Sequence, residues 1–479
     1  MYLGIDLGTS SVKLLLMDKN GKIESIIQKE YPINYFNGNW AEQNPEDWWY
    51  AVKDGITEIS QGVKIKGISF SGQMHGLVVL DKSDNIIRPA ILWCDQRTEK
   101  ECIELNNKKI TKFTGNQALT GFTAPKILWM KENEIENFNK ISKIMLPKDY
   151  IAYKLTGIHA TDVSDASGML IFDVKERRWS KEAMEILGIK INQLAKVYES
   201  FEVIGSVKKE LLEELNLSHE VKVIIGGGDQ AVGAIGVGAV EEGLISVALG
   251  TSGVVFAPTE KFYVDKKFRL HSFCHANNKY HQMGVMLSAS SSYKWWIENI
   301  NESKEYEKFN KLAEKANAGS NGLYFLPYLI GERTPHNDPE AKGGFIGLNI
   351  NHTKGDMTRS ILEGVSYGLK DSLILLEGMG IKINKVRISG GGSKSKLWKQ
   401  ILADIFNKEI ISVNSEEGPA FGAAILACVG CGVYKTVEEA CSKIINETEV
   451  ILPNDKNIVV YKEGYKKFIS LYPALKGKV

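Results

Sequence analysis

Short apolar runs closed by glycine or small polar residues recur along the chain, and longer amphipathic stretches lie between them. Tyr2–Ile5 and Val12–Met17 read as two arms of a hairpin, and Asn20-Gly21 predicts a turn into further strand to about Tyr31. Asn44-Pro45-Glu46-Asp47 is a helix-start signal, so Trp48 to Ile59 is predicted helical. Lys66–Phe70 and Leu77–Leu80 read as strands flanking Ser71-Gly72-Gln73-Met74-His75-Gly76. Residues 97–145 are mostly polar and helix-forming, and Leu146-Pro147-Lys148-Asp149-Tyr150 leads into a short helix ending at Gly157. Val221–Ile225 is a compact β-branched run, the form of a buried strand. It ends in Gly226-Gly227-Gly228-Asp229-Gln230 and passes into a helix-like stretch of Ala, Val and Gly.

A boundary falls at Val240-Glu241-Glu242-Gly243, after which Leu244–Leu249 and Val254–Ala257 form a second hairpin pattern. Residues 299–318 are charged and helix-forming, and read as a solvated face. Asp356–Gly378 is a long amphipathic helix with Ile361, Leu362, Val365, Leu369 and Leu373 on its apolar side. A strand, Lys385–Ser389, ends at Gly390-Gly391-Gly392-Ser393 before a helix from Lys396 to about Phe406. Alternating strands and helices with glycines at strand ends predict an α/β architecture in two lobes.

The loops of the two hairpins are near copies: Leu7-Gly8-Thr9-Ser10-Ser11-Val12 and Leu249-Gly250-Thr251-Ser252-Gly253-Val254. Such a turn offers backbone N–H groups and hydroxyls with little bulk, the chemistry needed to approach a phosphate closely. One copy alone is an ordinary small-residue hairpin. A copy in each half predicts related lobes holding the phosphates of a single nucleotide between them.

Composition narrows this picture. The chain has 479 residues, ample for large cores, and its 59 basic and 58 acidic residues leave a net charge of +1. That balance gives no electrostatic case for nucleic acid or a membrane surface as partner. No apolar run approaches the roughly 20 residues of a membrane span, and the start Met1-Tyr2-Leu3-Gly4-Ile5-Asp6 lacks the form of a secretory signal. Six cysteines are scattered without a framework, so a reducing, cytoplasmic setting is expected. Cys428 and Cys431 have C-x-x-C spacing without a second pair, and they read as small residues of a helix.

Candidate chemistry clusters near the glycines. Asp6 precedes the first turn, where a carboxylate either orients Mg²⁺ through water or is a hydrogen-bonded strand end. Lys13 reads equally as a phosphate contact or a surface residue. Asp229 follows three glycines at the carboxyl end of a buried strand, where α/β proteins place their ligand crevice. It is suited to accept a proton from an attacking hydroxyl, and also to cap the helix that follows. Gln73, Met74 and His75 sit in a glycine-bracketed loop that suits a polyhydroxylated ligand. Trp40, Trp48, Trp49 and Trp93 either face a sugar or pack in a core. Gly390, Gly391, Gly392 and Ser393 join strand to helix, and Glu417 to Ala424 is another small-residue helix start; both read as tight helix–strand packing or, following the two phosphate turns, the first as an adenosine site. His271, Cys274 and His275 lack a fourth ligand at recognisable spacing. No G-x-x-x-x-G-K-[ST] segment or protein-kinase loop set occurs.

Taken in order, these segments resemble the FGGY carbohydrate kinases of the actin-like ATPase superfamily, and within them the xylulokinase-like members. The likeness runs from residue 1 to about 430. It is carried by Gly4–Ser10, Ser71–Gly76, Gly121–Lys126, Leu146–Tyr150, Thr161–Ala166, His271–Ala276 and Gly331-Glu332-Arg333-Thr334-Pro335-His336. The resemblance implies two ribonuclease-H-like lobes with a nucleotide and sugar cleft between them: residues 1–241 for sugar and catalytic base, 242–479 for nucleotide. The last helix is expected to pack back on the first lobe. The implied activity is ATP-dependent phosphorylation of D-xylulose to D-xylulose 5-phosphate in xylose metabolism, a phosphotransfer to an alcohol group.

By the same resemblance Asp229 is the general base, and Asp6 is the second carboxylate, near Mg²⁺ and the phosphates. Met74, His75, Gln73 and Gln230 face the sugar. Gly8, Thr9, Ser10, Gly250, Thr251 and Ser252 hold ATP phosphates, with Gly390–Ser393 against the adenosine. The chain departs from the pattern at Gln230, where many relatives carry Asn, and at Cys94-Asp95-Gln96-Arg97, where some carry Asn-Asp-Gly-Arg. Both loosen the assignment to one pentulose. Alternatives are a kinase for another ketopentose or polyol, or a nucleotide-switched binding protein of the actin or chaperone type. A homodimer is the candidate assembly, with the oligomeric state left open.

Overall fold

A computed structural model describes residues 1–415 and 417–478. Its frame is a pair of seven-stranded sheets built on one plan. In the first, the strands run in the order Val203–Ser206, Lys222–Ile224, Gly67–Gly72, Tyr2–Leu7, Ser11–Met17, Ile23–Glu30, and Gly227–Gly228 also pairs with Gly67–Gly72. In the second, the order is His271–Cys274, Tyr280–Met286, Gly253–Thr259, Gly243–Leu249, Ile383–Ser389, Glu409–Val413, Glu447–Ile451. Each sheet places an antiparallel hairpin beside parallel strands and closes with an antiparallel edge. The hairpins are the two arms predicted from the repeat, with Leu7 opposite Val12 and Leu249 opposite Gly253.

The helices follow their local signals. Asn44 caps Pro45–Ile59 by accepting from the Glu46 N–H, so the helix starts three residues before the predicted Trp48. Thr353 and Asp356 form a capping box at the head of Lys354–Gly378. Each sheet has its own apolar core, and a third core lies between them. That third core centres on the helices Asp229–Gly236 and Gly418–Gly430, which meet with almost no side chain between them. A Cβ on Gly236 would stand 1.8 Å from the Gly418 carbonyl oxygen, and one on Gly422 would stand 1.9 Å from that of Val232. Gly418 and Gly422 at the start of the second helix allow this contact, and the contact seats the helix whose first residue is Asp229.

The expectation for the last helix is corrected. Asp455–Leu475 packs on the second lobe, not back on the first. The Tyr461 hydroxyl accepts from Arg359 and donates to Glu363, Tyr465 donates to Asp371, and Tyr472 donates to Asp338. Tyr461 and Tyr465 thus find polar partners along Lys354–Gly378, whose own sequence pattern announced only an apolar stripe, and Tyr472 finds its partner outside that helix. Among the described residues no helix is long and apolar enough to cross a membrane.

Candidate active site

Gly67–Gly72 runs parallel to Tyr2–Leu7 and delivers Gln73, Met74 and His75 at its carboxyl end, with the Gln73 N–H donating to Leu7 O at 2.8 Å. The Gly226–Gly228 turn lies against the same strand. Gly226 has φ +70°, and a Cβ there would fall 1.9 Å from Phe70 O, so both conformation and space demand glycine. Gly228, not Asp229, is the cap residue of the following helix, and Asp229 opens its first turn. The Gly228 N–H donates to Ser164 Oγ, whose hydroxyl donates to Asp162 at 2.6 Å. Behind them the buried Lys148 ammonium lies 2.6 Å from Asp149, 3.0 Å from Asp162 and 3.5 Å from Asp165. This buried cluster fixes the turn that presents Asp229.

Asp229, Gln230, Met74, His75, Trp93 and Phe122 line a cavity of about 230 Å³, closed from the other lobe by Ser252, Val254, Met283, Val285 and Arg333. Burial, and then the Asp6 carboxylate, push the Asp229 carboxyl up to about 7, against the bonds it receives from Gln230. A carboxyl tuned there is half-ionised near neutral pH and able to take up a proton. His75 has φ +69°, and its Nδ1 lies 2.9 Å from Gly168 O. Burial, with the Lys126 and His271 charges next in weight, holds the imidazole well below its ordinary pKa. A neutral ring that donates from Nδ1 to a carbonyl leaves Nε2 as an acceptor for a ligand hydroxyl. The strained His75 backbone is itself held, since its carbonyl accepts from buried Lys126 Nζ at 2.9 Å and from Thr123 Oγ1 at 3.1 Å. Lys126 also donates to Gly121 O at 2.7 Å and so ties two walls of the cavity together.

Gln73 is corrected in position. It lies outside the cavity lining and turns inward, donating to Gln43 Oε1 at 3.2 Å. Gln43 passes the contact on to Thr9 O at 2.7 Å. Asp6 also lies outside the lining, beside Ser71, with burial raising its pKa and Lys13 opposing the rise. Lys13 also forms an ion pair with Glu417, and the Glu417 charge offsets part of its effect on Asp6, whose carboxylate in turn raises Asp229. An oxygen donor in that setting fits Mg²⁺, which takes one or two carboxylates and completes its shell with water and phosphate. Trp48 and Trp49 belong to the first core and Trp40 stacks on Arg97; of the four tryptophans, Trp93 faces the cavity. His275 is occupied by Ala239 O and the Ala276 N–H, while the Cys274 thiol faces Val174 O.

A second cavity, of about 620 Å³, lies on the far side of the second turn. Thr251 lines it and the next residue, Ser252, lines the first cavity, so this turn stands between the two. Gly391 and Gly392 form part of its wall. Gly390 sits behind at φ +85°, where a Cβ would meet the Leu249 carbonyl at 2.7 Å, and Ser393 folds back onto Gly390 O. The stretch read as a solvated face supplies the opposite wall: helix Tyr306–Lys315 contributes Tyr306, Glu307 and Asn310. The Asn310 side-chain oxygen accepts from the Tyr293 hydroxyl at 2.9 Å. Polar periodicity alone hid this wall, because a helix lining an open cleft has the same pattern as one facing bulk solvent. Lys126, Lys148 and Arg333 were also missed as working residues, although each lies in a stretch that carried the family resemblance.

Two lobes of one plan, a raised carboxyl in one cavity and a glycine-walled cavity across a small-residue turn define a two-lobed phosphotransferase of the actin-like ATPase fold. Residues 1–236 match the N-terminal domain, and residues 245–431 the C-terminal domain, of the FGGY family of carbohydrate kinases. The chain belongs to that family. It is 38% identical to a xylulose kinase of Staphylococcus epidermidis over 99% of this chain and 97% of that protein. It is also 38% identical to the xylulose kinase of Escherichia coli, over 99% of each. The crystal structure of a "xyloylose kinase" from Brucella ovis superposes with a TM-score of 0.95 at 36% identity, covering 100% of both chains.

Proposed function

We propose that the protein transfers the γ-phosphoryl group of ATP to the terminal hydroxyl of D-xylulose, giving D-xylulose 5-phosphate and ADP. The observation that carries this reading is the raised Asp229 carboxyl in a cavity that shares the Thr251-Ser252 turn with a nucleotide-sized cavity. Residues 1–241 supply the sugar site and the base, and residues 242–479 supply the nucleotide site. Asp229 accepts the hydroxyl proton as the sugar oxygen bonds to the γ-phosphorus and the bond to the β–γ bridging oxygen breaks. His75 accepts from a sugar hydroxyl through Nε2, while Met74 and Gln230 bound the same space. Gly8–Ser10 and Gly250–Ser252 face the phosphates from opposite lobes, with Gly391 and Gly392 against the adenosine. Asp6 would hold Mg²⁺ through its waters, and the ion when bound neutralises phosphate charge. Names of relatives over nearly the whole chain support the pentulose.

The test is ADP release with Mg-ATP across ketoses, aldoses and polyols. Release that depends on D-xylulose supports the reading. Release only with another ketopentose or a polyol moves the substrate, and sugar-independent release favours a nucleotide switch.

A further inference from the structure

Trp93 is the one side chain that both lines the sugar cavity and donates a hydrogen bond into a phosphate-type turn among the described residues. Its ring stands with Met74 and His75 in the cavity wall and is 45% exposed, an unusual share for an indole. Its Nε1–H donates to Thr9 Oγ1 at 3.0 Å. The backbone beneath the ring is tied into buried contacts. Asp95, fully buried, accepts from the Ala41 N–H and from the backbone and guanidinium of Arg97, and the guanidinium sits 3.8 Å over the Trp40 ring. On the other side, a Cβ on Gly121 would come within 2.8 Å of Trp93 O. The backbone is thus held by contacts on both sides, and the indole presents its open face to the cavity.

We infer that Trp93 is a positioning residue that couples occupancy of the sugar cavity to the phosphate-binding state of the first turn, acting through the Thr9 hydroxyl. Indole is a donor only. A Thr9 oxygen that accepts from it keeps its own proton free to donate, and the acceptor this prepares for is a phosphoryl oxygen. When sugar fixes the ring, Thr9 is held in that polarity at the moment of transfer, which is where preorganised donors act. Among the described residues the second turn shows no such link: the Thr251 carbonyl is held by the Ala289 N–H and the Ser291 hydroxyl. The inference rests on the reading of Gly8–Ser10 as a phosphate turn.

The experiment uses Trp93→Phe, which keeps an aromatic wall and removes the N–H, together with Thr9→Val and the double variant. Steady-state ADP release with Mg-ATP is measured with and without the preferred sugar. Trp93→Phe is expected to lower kcat about five- to tenfold, the factor one hydrogen bond supplies, with the sugar KM within about threefold of wild type. The ratio of sugar-dependent to sugar-independent release falls by the same factor. The double variant falls no further than Thr9→Val alone, the signature of one shared contact. A raised sugar KM with unchanged kcat overturns the inference, because the ring is then only a wall. A double variant equal to the product of the singles also overturns it. Wild-type release that ignores sugar overturns this inference and the proposed function together, whereas sugar-dependent wild type with an unaffected Trp93→Phe overturns this one alone.

Discussion

The two Leu-Gly-Thr-Ser turns close equivalent hairpins, yet they are mounted in opposite ways. The first is gripped by side chains from the sugar lobe: the Tyr31 hydroxyl on Gly8 O at 2.5 Å, Gln43 on Thr9 O, and Trp93 on Thr9 Oγ1. The second is gripped by one short segment that itself lines the nucleotide cavity. There the Ser290 N–H donates to Gly250 O and the Ser290 hydroxyl to Leu249 O, each at 3.0 Å, and Ser291 Oγ donates to Thr251 O at 2.8 Å. One backbone solution has therefore been given two sets of neighbours. The first turn is tied to a residue of the first cavity's wall, and the second stands between the two cavities. Changes around the first should alter sugar-dependent catalysis, and changes around the second should alter nucleotide affinity.

The largest effect tests whether chemistry belongs to the first lobe alone. Asp229→Asn removes the proton acceptor while keeping size and hydrogen-bonding reach, and kcat is expected to fall roughly 10²–10⁴-fold with ATP binding little changed. Near-normal turnover in this variant would sink the base assignment. The same residue predicts the pH profile. Its carboxyl is raised to about 7 and must be ionised to act, so kcat/KM climbs with pH up to about 7 and is lost as pH falls below it. A wild-type acid limb centred near 4 contradicts this, as does an unchanged limb in Asp229→Asn.

Much of this frame was legible in the residues themselves. The hairpin repeat, the β-branched run before Gly226 and the glycine punctuation announced both sheets and the position of Asp229, because strand period and turn chemistry are local properties. Helix Tyr306–Lys315 was misread, since nothing local separates solvent from an open cleft. The glycine-bracketed loop groups Gln73 with Met74 and His75, yet the side chains of consecutive residues leave the backbone in different directions, and Gln73 meets Gln43 while the other two line the cavity. The last helix was misplaced because its partners Arg359, Glu363 and Asp371 are distant in sequence and become visible only once the fold brings them together.

Lys126→Met comes next in size and tests the sugar side without touching the base. Its ammonium holds the carbonyls of His75 and Gly121, and burial pulls its pKa down to about 7. Methionine fills similar space but leaves two inward carbonyls short of a donor and frees His75 from its left-handed conformation. The sugar KM should rise about tenfold or more while the ATP KM stays within about twofold. Equal changes in both would show that Lys126 supports the whole cleft, and the proposed separation of the two sides would fail.

The smallest effect belongs to the second turn. Ser290→Ala removes the hydroxyl bond to Leu249 O but keeps the backbone bond from the Ser290 N–H to Gly250 O. Losing one of several ties leaves the turn in place and loosens it, so the ATP KM should rise about three- to fivefold, in line with one modest hydrogen bond. The sugar KM should not move, because Ser290 lines only the nucleotide cavity. Titrating ATP at saturating sugar, and sugar at saturating ATP, separates the two constants. A Ser290→Ala protein whose sugar KM rises as much as its ATP KM would mean that the second turn reports to both cavities, and the asymmetry between the copies would then lie only in their hydrogen bonds and not in their work.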